Sequence, residues 1–312
     1  LGKGCLLDAI TLHVVLRLGI QNVLIKQFGS IGITSQSLAY IQQEIKDIEM
    51  GGVDQKSMSL IWKDGKVYRQ ELAPEDKAAA LRVLENDRDW LVANAVIVPA
   101  KGKSDPPAEM RQLIDETGAD FLDDILAAQG SERVFISEDQ ILRRIGETGF
   151  NLKTTWLQPV LLKARGSGEL SADKYGETII NFIRSGFEFI AIDTKLLLWA
   201  IGMPDEQELL LSKNFLILSS RIGGPNAELN SHIRVALETI HAVWSNHRIH
   251  RTLKRAIVGT LLENLCKKRP RDHGIAILRI FAKWGEDILQ NPDFFSYLEA
   301  WVIGHFYQPE QL

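Results

Sequence analysis

Acidic side chains recur in this chain where apolar runs give way to amphipathic ones. Asp8 follows the apolar run in GCLLDAI, and Glu44 lies within SQSLAYIQQEIKDIEM. Asp120, Asp123 and Asp124 cluster in GADFLDDILAA, and Glu138 with Asp139 follow VFIS in VFISEDQILRRIGETGF. A single surface acid is usually just solvated. Asp8 says more, because a charge directly after a buried run is costly without compensation. If the apolar runs are strands of one parallel sheet, the acids converge on one edge, at the strand ends where open α/β folds keep their sites. Carboxylates crowded there would repel one another, so the chemistry such an edge suggests is one in which a cation takes part.

The elements that must position these acids are legible in outline. Cys5 to Leu7 read as a buried strand, followed by a helix carrying Ile10, Val14, Leu16 and Leu18 and terminated at Gly19. SIGIT reads as a strand, and Leu38, Ile41, Ile45 and Ile48 recur at helical spacing behind a cap at Ser35 or Ser37. SMSLIWKDGKVYRQEL reads as a hairpin turning at Asp64 and Gly65, with a helix from Pro74 to about Asn94 and a strand AVIVPA after it. Val134 to Ile136 suit a short strand, and Ser137 with Gln140 three residues on reads as a capping box. In that bland reading Glu138 and Asp139 merely complement a helix dipole, worth roughly 0.3 to 1 kcal/mol. A strand near Asn151 to Thr154, helices from about Thr155 to Ala164 and Ala172 to Ser185, and a strand FEFIAI follow; beyond about residue 203 the pattern is wholly helical.

Strands alternating with helices predict a doubly wound α/β domain over 1–203, with an insertion over about 51–107, and a helical domain over 204–312. With 312 residues, 45% of them hydrophobic, the chain can bury a substantial core. Its apolar runs are too short or too interrupted to span a bilayer and no secretory signal is evident, so the expected location is the cytoplasm. Cys5 and Cys266 stand far apart and outside any zinc spacing. The opening on Leu1 suggests a piece of a longer polypeptide with domains upstream.

The stretches LLDAITL, LAYIQQEI, GADFLDDILAA, VFISEDQILRRIGETGF and GFNLKTTWLQPVLLKARGSGELS together resemble the PIN-domain nuclease family, over roughly residues 4 to 195. They also look like the PIN domains carried near the C-terminus of large bacterial multidomain proteins. The resemblance implies a three-layer α/β/α fold and carboxylates that hold Mg²⁺ or Mn²⁺ for phosphodiester hydrolysis, with single-stranded RNA the favoured substrate over DNA. Carried over by position, Asp8, Glu44 and Asp139 match family acids. The remaining acid falls on Asp124, with Asp120 one turn away as the alternative. Such a set suits a hard ion that takes oxygen ligands and keeps several waters. Thr11 stands close enough behind Asp8 to meet a metal-bound water, although back-bonding is the commoner role for such a hydroxyl.

Phosphates would need cations. Arg143, Arg144 and Lys153 lie near Asp139, and HRIHRTLKR and KKRPRDH make the tail locally basic, although the net charge is −4. A solvated helix face explains either tail run as well. His247 and His250 lack the companions a metal pair needs. Trp156, Trp244, Trp284 and Trp301 fall at apolar helical positions and read as core.

Other enzymes fit less well. A haloacid dehalogenase phosphatase would place a second Asp where Ile10 stands, a receiver domain would carry an acidic pair at the first strand, and no Walker or GxGxxG loop occurs. The rival reading is a PIN-like docking module with partly vestigial acids, whose apolar tail helices bind upstream domains or protein partners.

Overall fold

The computed structural model describes residues 4–53, 56–63, 65–101, 111, 122–187, 190–202, 211–224, 228–267, 274 and 290–306. Packing divides the chain into two units, Leu1–Leu170 and Ser171–Leu312. The division falls upstream of residue 203, where the sequence suggested it.

In the first unit the strands β1 (Cys5–Leu7), β2 (Ile31–Ile33), β5 (Val96–Ile97), β6 (Val134–Ile136) and β7 (Thr154–Thr155) form one sheet in the order β5-β2-β1-β6-β7. Every pairing in it is parallel. Helices α1 (Ala9–Leu18), α2 (Gln21–Phe28), α3 (Ser35–Met50), α4 (Pro74–Asn94), α5 (Asp123–Ser131), α6 (Gln140–Phe150) and α7 (Leu157–Gly166) flank it, giving the expected α/β/α layering. The inner strands β1, β2 and β6 are short and largely buried, as a parallel sheet between helices requires, whereas the edge strand β5 is exposed and the edge strand β7 half-buried. Leu6 and Phe135 stand opposite each other in the ladder and enter a core with Ile125, Ala128 and Phe150 from α5 and α6. Cys5, Leu7 and Ile136 alternate to the other face and are equally inaccessible.

Local chemistry sets the joints. Gly19, in the left-handed conformation at φ 63°, ends α1 by donating its N–H to Leu16 O. Gly32 has no room for a side chain, since an added Cβ would lie 2.9 Å from Val98 Cγ2. The region expected to be an insertion proves to be part scaffold: its end, Val96–Ile97, pairs with β2 and completes the sheet. Its middle forms a separate two-stranded ribbon, β3 (Ser57–Lys63) with β4 (Lys66–Leu72), and α4 packs on α3. The buried Lys77 ties α4 to the loop that follows α3 by donating to Gly52 O at 3.0 Å.

The regular elements among the second unit's described residues are helices: α8 (Ala172–Arg184), α9 (Thr194–Ile201), α10 (Lys213–Ser219), α11 (Leu229–Ser245), α12 (Arg251–Cys266) and α13 (Pro292–Phe306). The strand expected in FEFIAI is not formed at its described positions 187 and 190–192. Helix α8 packs on α9 and α10, which explains why the division precedes it. Trp244 and Trp301 are buried as expected, whereas Trp156, in the first unit, is 39% exposed; Trp284 lies outside the described residues. The basic run at 247–255 is largely engaged in this unit's own packing. His250 caps α12, Arg251 pairs with Asp293, Lys254 donates to Trp244 O, and Arg255 lies over the Tyr297 ring. The run KKRPRDH falls, after Lys267, outside the described residues. Among the described residues no single helix is long and apolar enough to cross a membrane.

Candidate active site

The sheet order places β1 beside both β2, reached by the first crossover, and β6, reached after the chain reverses direction across the sheet. Open α/β sheets form their crevice at such a reversal, outside the carboxyl ends of the strands. Asp8 follows β1 there, Thr34 follows β2, and Ser137, Glu138 and Asp139 follow β6.

Asp8 is 3% exposed and caps α1. Its Oδ1 accepts the Thr11 N–H at 2.9 Å and its Oδ2 accepts the Thr11 hydroxyl at 2.8 Å. The short side chain at this position satisfies one of the helix's first N–H groups, which holds the carboxylate at the mouth of β1. Thr34 does the same for α3, accepting the Ser37 N–H, so the cap is Thr34 and neither Ser35 nor Ser37. The Thr34 hydroxyl donates to Asp124 Oδ1 at 2.7 Å across a sequence separation of 90 residues.

Asp124, in the first turn of α5, faces Asp8 across one pocket of about 260 Å³, which Thr34, Ser37, Tyr40 and Ile10 also line. Burial pushes the Asp124 carboxyl up to about 6; the hydroxyls of Thr34 and Ser37 oppose the rise, and the charges of Asp8 and Asp123 add to it. Two carboxylates thus share a partly desolvated cleft in which at least one resists ionising.

Glu138 is the residue that the family carry-over passed over. Its backbone N–H donates to the Thr11 hydroxyl at 2.7 Å, and its Oε1 accepts the Leu157 N–H at 2.7 Å. Burial raises its pKa; the Leu157 N–H and Arg143 oppose this, and Asp8 adds to it. A sequence signal existed, since Glu138 stands one residue nearer the strand end than Asp139, but charge alone gave no reason to prefer it.

The other expected residues are placed as follows. Asp139 is the cap of α6: its Oδ1 accepts the N–H groups of Ile141 and Leu142, at 2.7 and 3.2 Å. The capping box expected from Ser137 and Gln140 is replaced by this bond, because Asp139 sits at the position from which a short side chain reaches the second and third helical N–H. Ser137 Oγ instead accepts the Asp139 N–H. Asp139 and Glu44 do not line the Asp8–Asp124 pocket. Glu44 Oε2 is buried without a hydrogen-bond partner among the described residues, on α3 one turn beyond Tyr40. Asp120 lies outside the described residues. Arg143 donates to Ser137 O and lies 5.1 Å from the centre of the Trp156 ring, so it braces the β6–α6 junction. Arg144 and Lys153 are exposed. Thr11, considered as a partner for a metal-bound water, spends its hydroxyl proton on Asp8.

No three His, Cys, Asp or Glu side chains among the described residues are grouped as they would be around a metal ion. The residues present nonetheless suit a hard divalent cation. Mg²⁺ is commonly held by one or two carboxylates with water and substrate phosphate completing its shell. Asp8 and Asp124 supply such a pair, and Glu44 adds a buried carboxyl oxygen without a hydrogen-bond partner among the described residues.

Residues 6–148 match the family described as the PIN domain associated with the TPR-GreAB-C-PIN system. The match is narrower than the resemblance read from the sequence and stops before the NLKTTWLQPVLLKARGSGELS segment. No curated protein and no solved structure gave a match. The matched residues 6–148, which carry β2, β5, β6 and most of β1 together with the Asp8–Asp124 pocket and Glu138, are similar to the PIN-domain family.

Proposed function

We propose that the first unit is a metal-dependent phosphodiesterase that cleaves single-stranded RNA, with Asp8 and Asp124 holding Mg²⁺ or Mn²⁺. The observation that carries this reading is the pairing of the two carboxylates in one pocket, where burial and the charge of Asp8 oppose ionisation of Asp124. Such a pair is costly by itself and becomes favourable when a divalent ion neutralises it. When bound, the ion supplies a more acidic water and charge neutralisation at the phosphate.

The chain's own residues prepare the site. Thr11 fixes Asp8 Oδ2 and Thr34 fixes Asp124 Oδ1, so each carboxylate keeps one orientation and presents its remaining lone pairs to the pocket. Glu44 and Asp139, which do not line the pocket, remain further candidate ligands, with Asp120 another. Glu138, tied to Thr11 and Leu157, positions the β6 side of the cleft. The exposed Arg144 and Lys153, with Arg143 behind them, are the cations proposed to track the RNA backbone.

The test is cleavage of an unstructured RNA by the purified chain in Mn²⁺ and Mg²⁺, with Asp8→Asn and Asp124→Asn as comparisons. Loss of at least about a hundredfold in each variant supports the reading. A second reading, a docking module, draws on the lack of a three-residue metal group among the described residues and on the matched family's association with a TPR-GreAB-C-PIN system. It prevails if wild type and both variants are equally inert and the chain binds a TPR or GreAB-C segment.

A further inference from the structure

The pocket has an apolar side that metal and phosphate chemistry leaves unused. Tyr40 on α3 is 55% exposed and Ile10 on α1 is 59% exposed, and both line the same pocket as Asp8 and Asp124. An exposed apolar residue standing alone needs no explanation. These two stand on the very helices whose N-terminal caps, Asp8 and Thr34, build the acidic side. One cleft is therefore lined by carboxylates, hydroxyls and an aromatic ring together. A nucleotide could use both acids and ring: a divalent ion at the carboxylates would take its anionic phosphate, and the ring would meet its planar base, which has a free π-face. In a duplex that face is covered by neighbouring pairs, whereas in a single strand it can turn outward and stack on a side-chain ring.

We infer that Tyr40, which lines the pocket with Ile10, is a specificity-determining residue that stacks on the unpaired base next to the phosphate bound by the divalent ion proposed at Asp8 and Asp124. The inference rests on the phosphodiesterase reading and sharpens it: the substrate is an unpaired strand, chosen through a base face and largely without regard to base identity, since every base has such a face. The phenol hydroxyl is not needed; the ring is.

The experiment compares wild type, Tyr40→Ala and Tyr40→Phe on a fluorescent single-stranded RNA, on the same strand with an abasic residue at the cleavage position, and on its duplex. Circular dichroism checks that each variant is folded. Binding is followed by anisotropy in an Asp8→Asn background, which requires no turnover. Tyr40→Ala is expected to weaken binding and raise KM about tenfold on the intact strand. Tyr40→Phe should stay within about twofold of wild type, and the abasic strand should bind wild type and Tyr40→Ala alike. Unchanged binding in Tyr40→Ala, equal damage in Tyr40→Phe, or an equal effect on the abasic strand overturns the stacking role while leaving the nuclease reading in place. If wild type neither binds nor cleaves any of these nucleic acids, the nuclease reading itself fails and the stacking role falls with it.

Discussion

The Thr11 hydroxyl joins Glu138 to Asp8: it accepts the Glu138 N–H at 2.7 Å and donates to Asp8 Oδ2 at 2.8 Å. One buried side chain thus fixes the ends of two neighbouring strands, β1 and β6, on either side of the crevice. Thr11→Val keeps the shape and removes both bonds. It should destabilise the fold by about 1 to 3 kcal/mol, because the Glu138 N–H and an Asp8 oxygen lose a partner in a low-dielectric place. Thr11→Ser keeps the hydroxyl and should cost clearly less. Urea unfolding of the two variants measures the difference, and equal losses would deny the bridge its importance.

Asp124 gives the metal-free protein a pH dependence of definite sign. Its folded-state pKa, about 6, lies above the usual carboxylate value, so the folded state holds this proton more tightly than the unfolded chain does. The associated stability is present below about pH 4 and is lost as pH rises through about 6. In a chelator, Asp124→Asn should therefore be more stable than wild type at pH 8, by on the order of 2 to 3 kcal/mol, and the advantage should vanish near pH 4. Adding Mn²⁺ should reverse the order at pH 8, because the ion stabilises only the chain that binds it. Thermal melts across that pH range, with and without metal, provide the check.

Arg143 differs in role from Arg144 and Lys153 although all three lie near the β6 edge. Arg143→Ala removes the bond to Ser137 O and the cation–π contact with Trp156, and should lower stability by about 1 to 2 kcal/mol. Arg144→Ala and Lys153→Ala should leave the melting temperature within a degree or two. Each should lower the salt dependence of RNA binding by roughly one counterion. Affinity measured over a series of KCl concentrations separates the two classes.

Cys5 should be chemically silent in the folded protein. Burial in β1 pushes its thiol up to about 12, so almost no thiolate exists at neutral pH, and the sulfur is also inaccessible. A disulfide reagent should label Cys5 only at the rate of unfolding, and mass spectrometry of the labelled peptide reads this out. Fast labelling at Cys5 would show that the first strand opens far more readily than its packing indicates.

Much of the scaffold was legible in the sequence because strand and helix periods are local properties. Runs such as Cys5–Leu7 and Val134–Ile136 are too short and apolar to be other than buried strands, and the helix from Pro74 to Asn94 carries its own start signal. Asp8 stood out for a local reason as well, being a charge attached directly to a buried run. Asp124 and Asp139 also stand out as candidates in the sequence, but their partners do not. Which side of a helix meets a residue 90 positions away depends on sheet order and register, and no periodicity records that. The tertiary structure alone decided that Asp124 faces Asp8 while Asp139 spends an oxygen on its own helix, that Glu138 reaches back to Thr11, and that Tyr40 stands in the same cleft as the acids. The composition of a strand or a helix follows from what each residue does to its neighbours along the chain; the composition of a pocket follows from how separate elements are brought together, and it is written only in their packing.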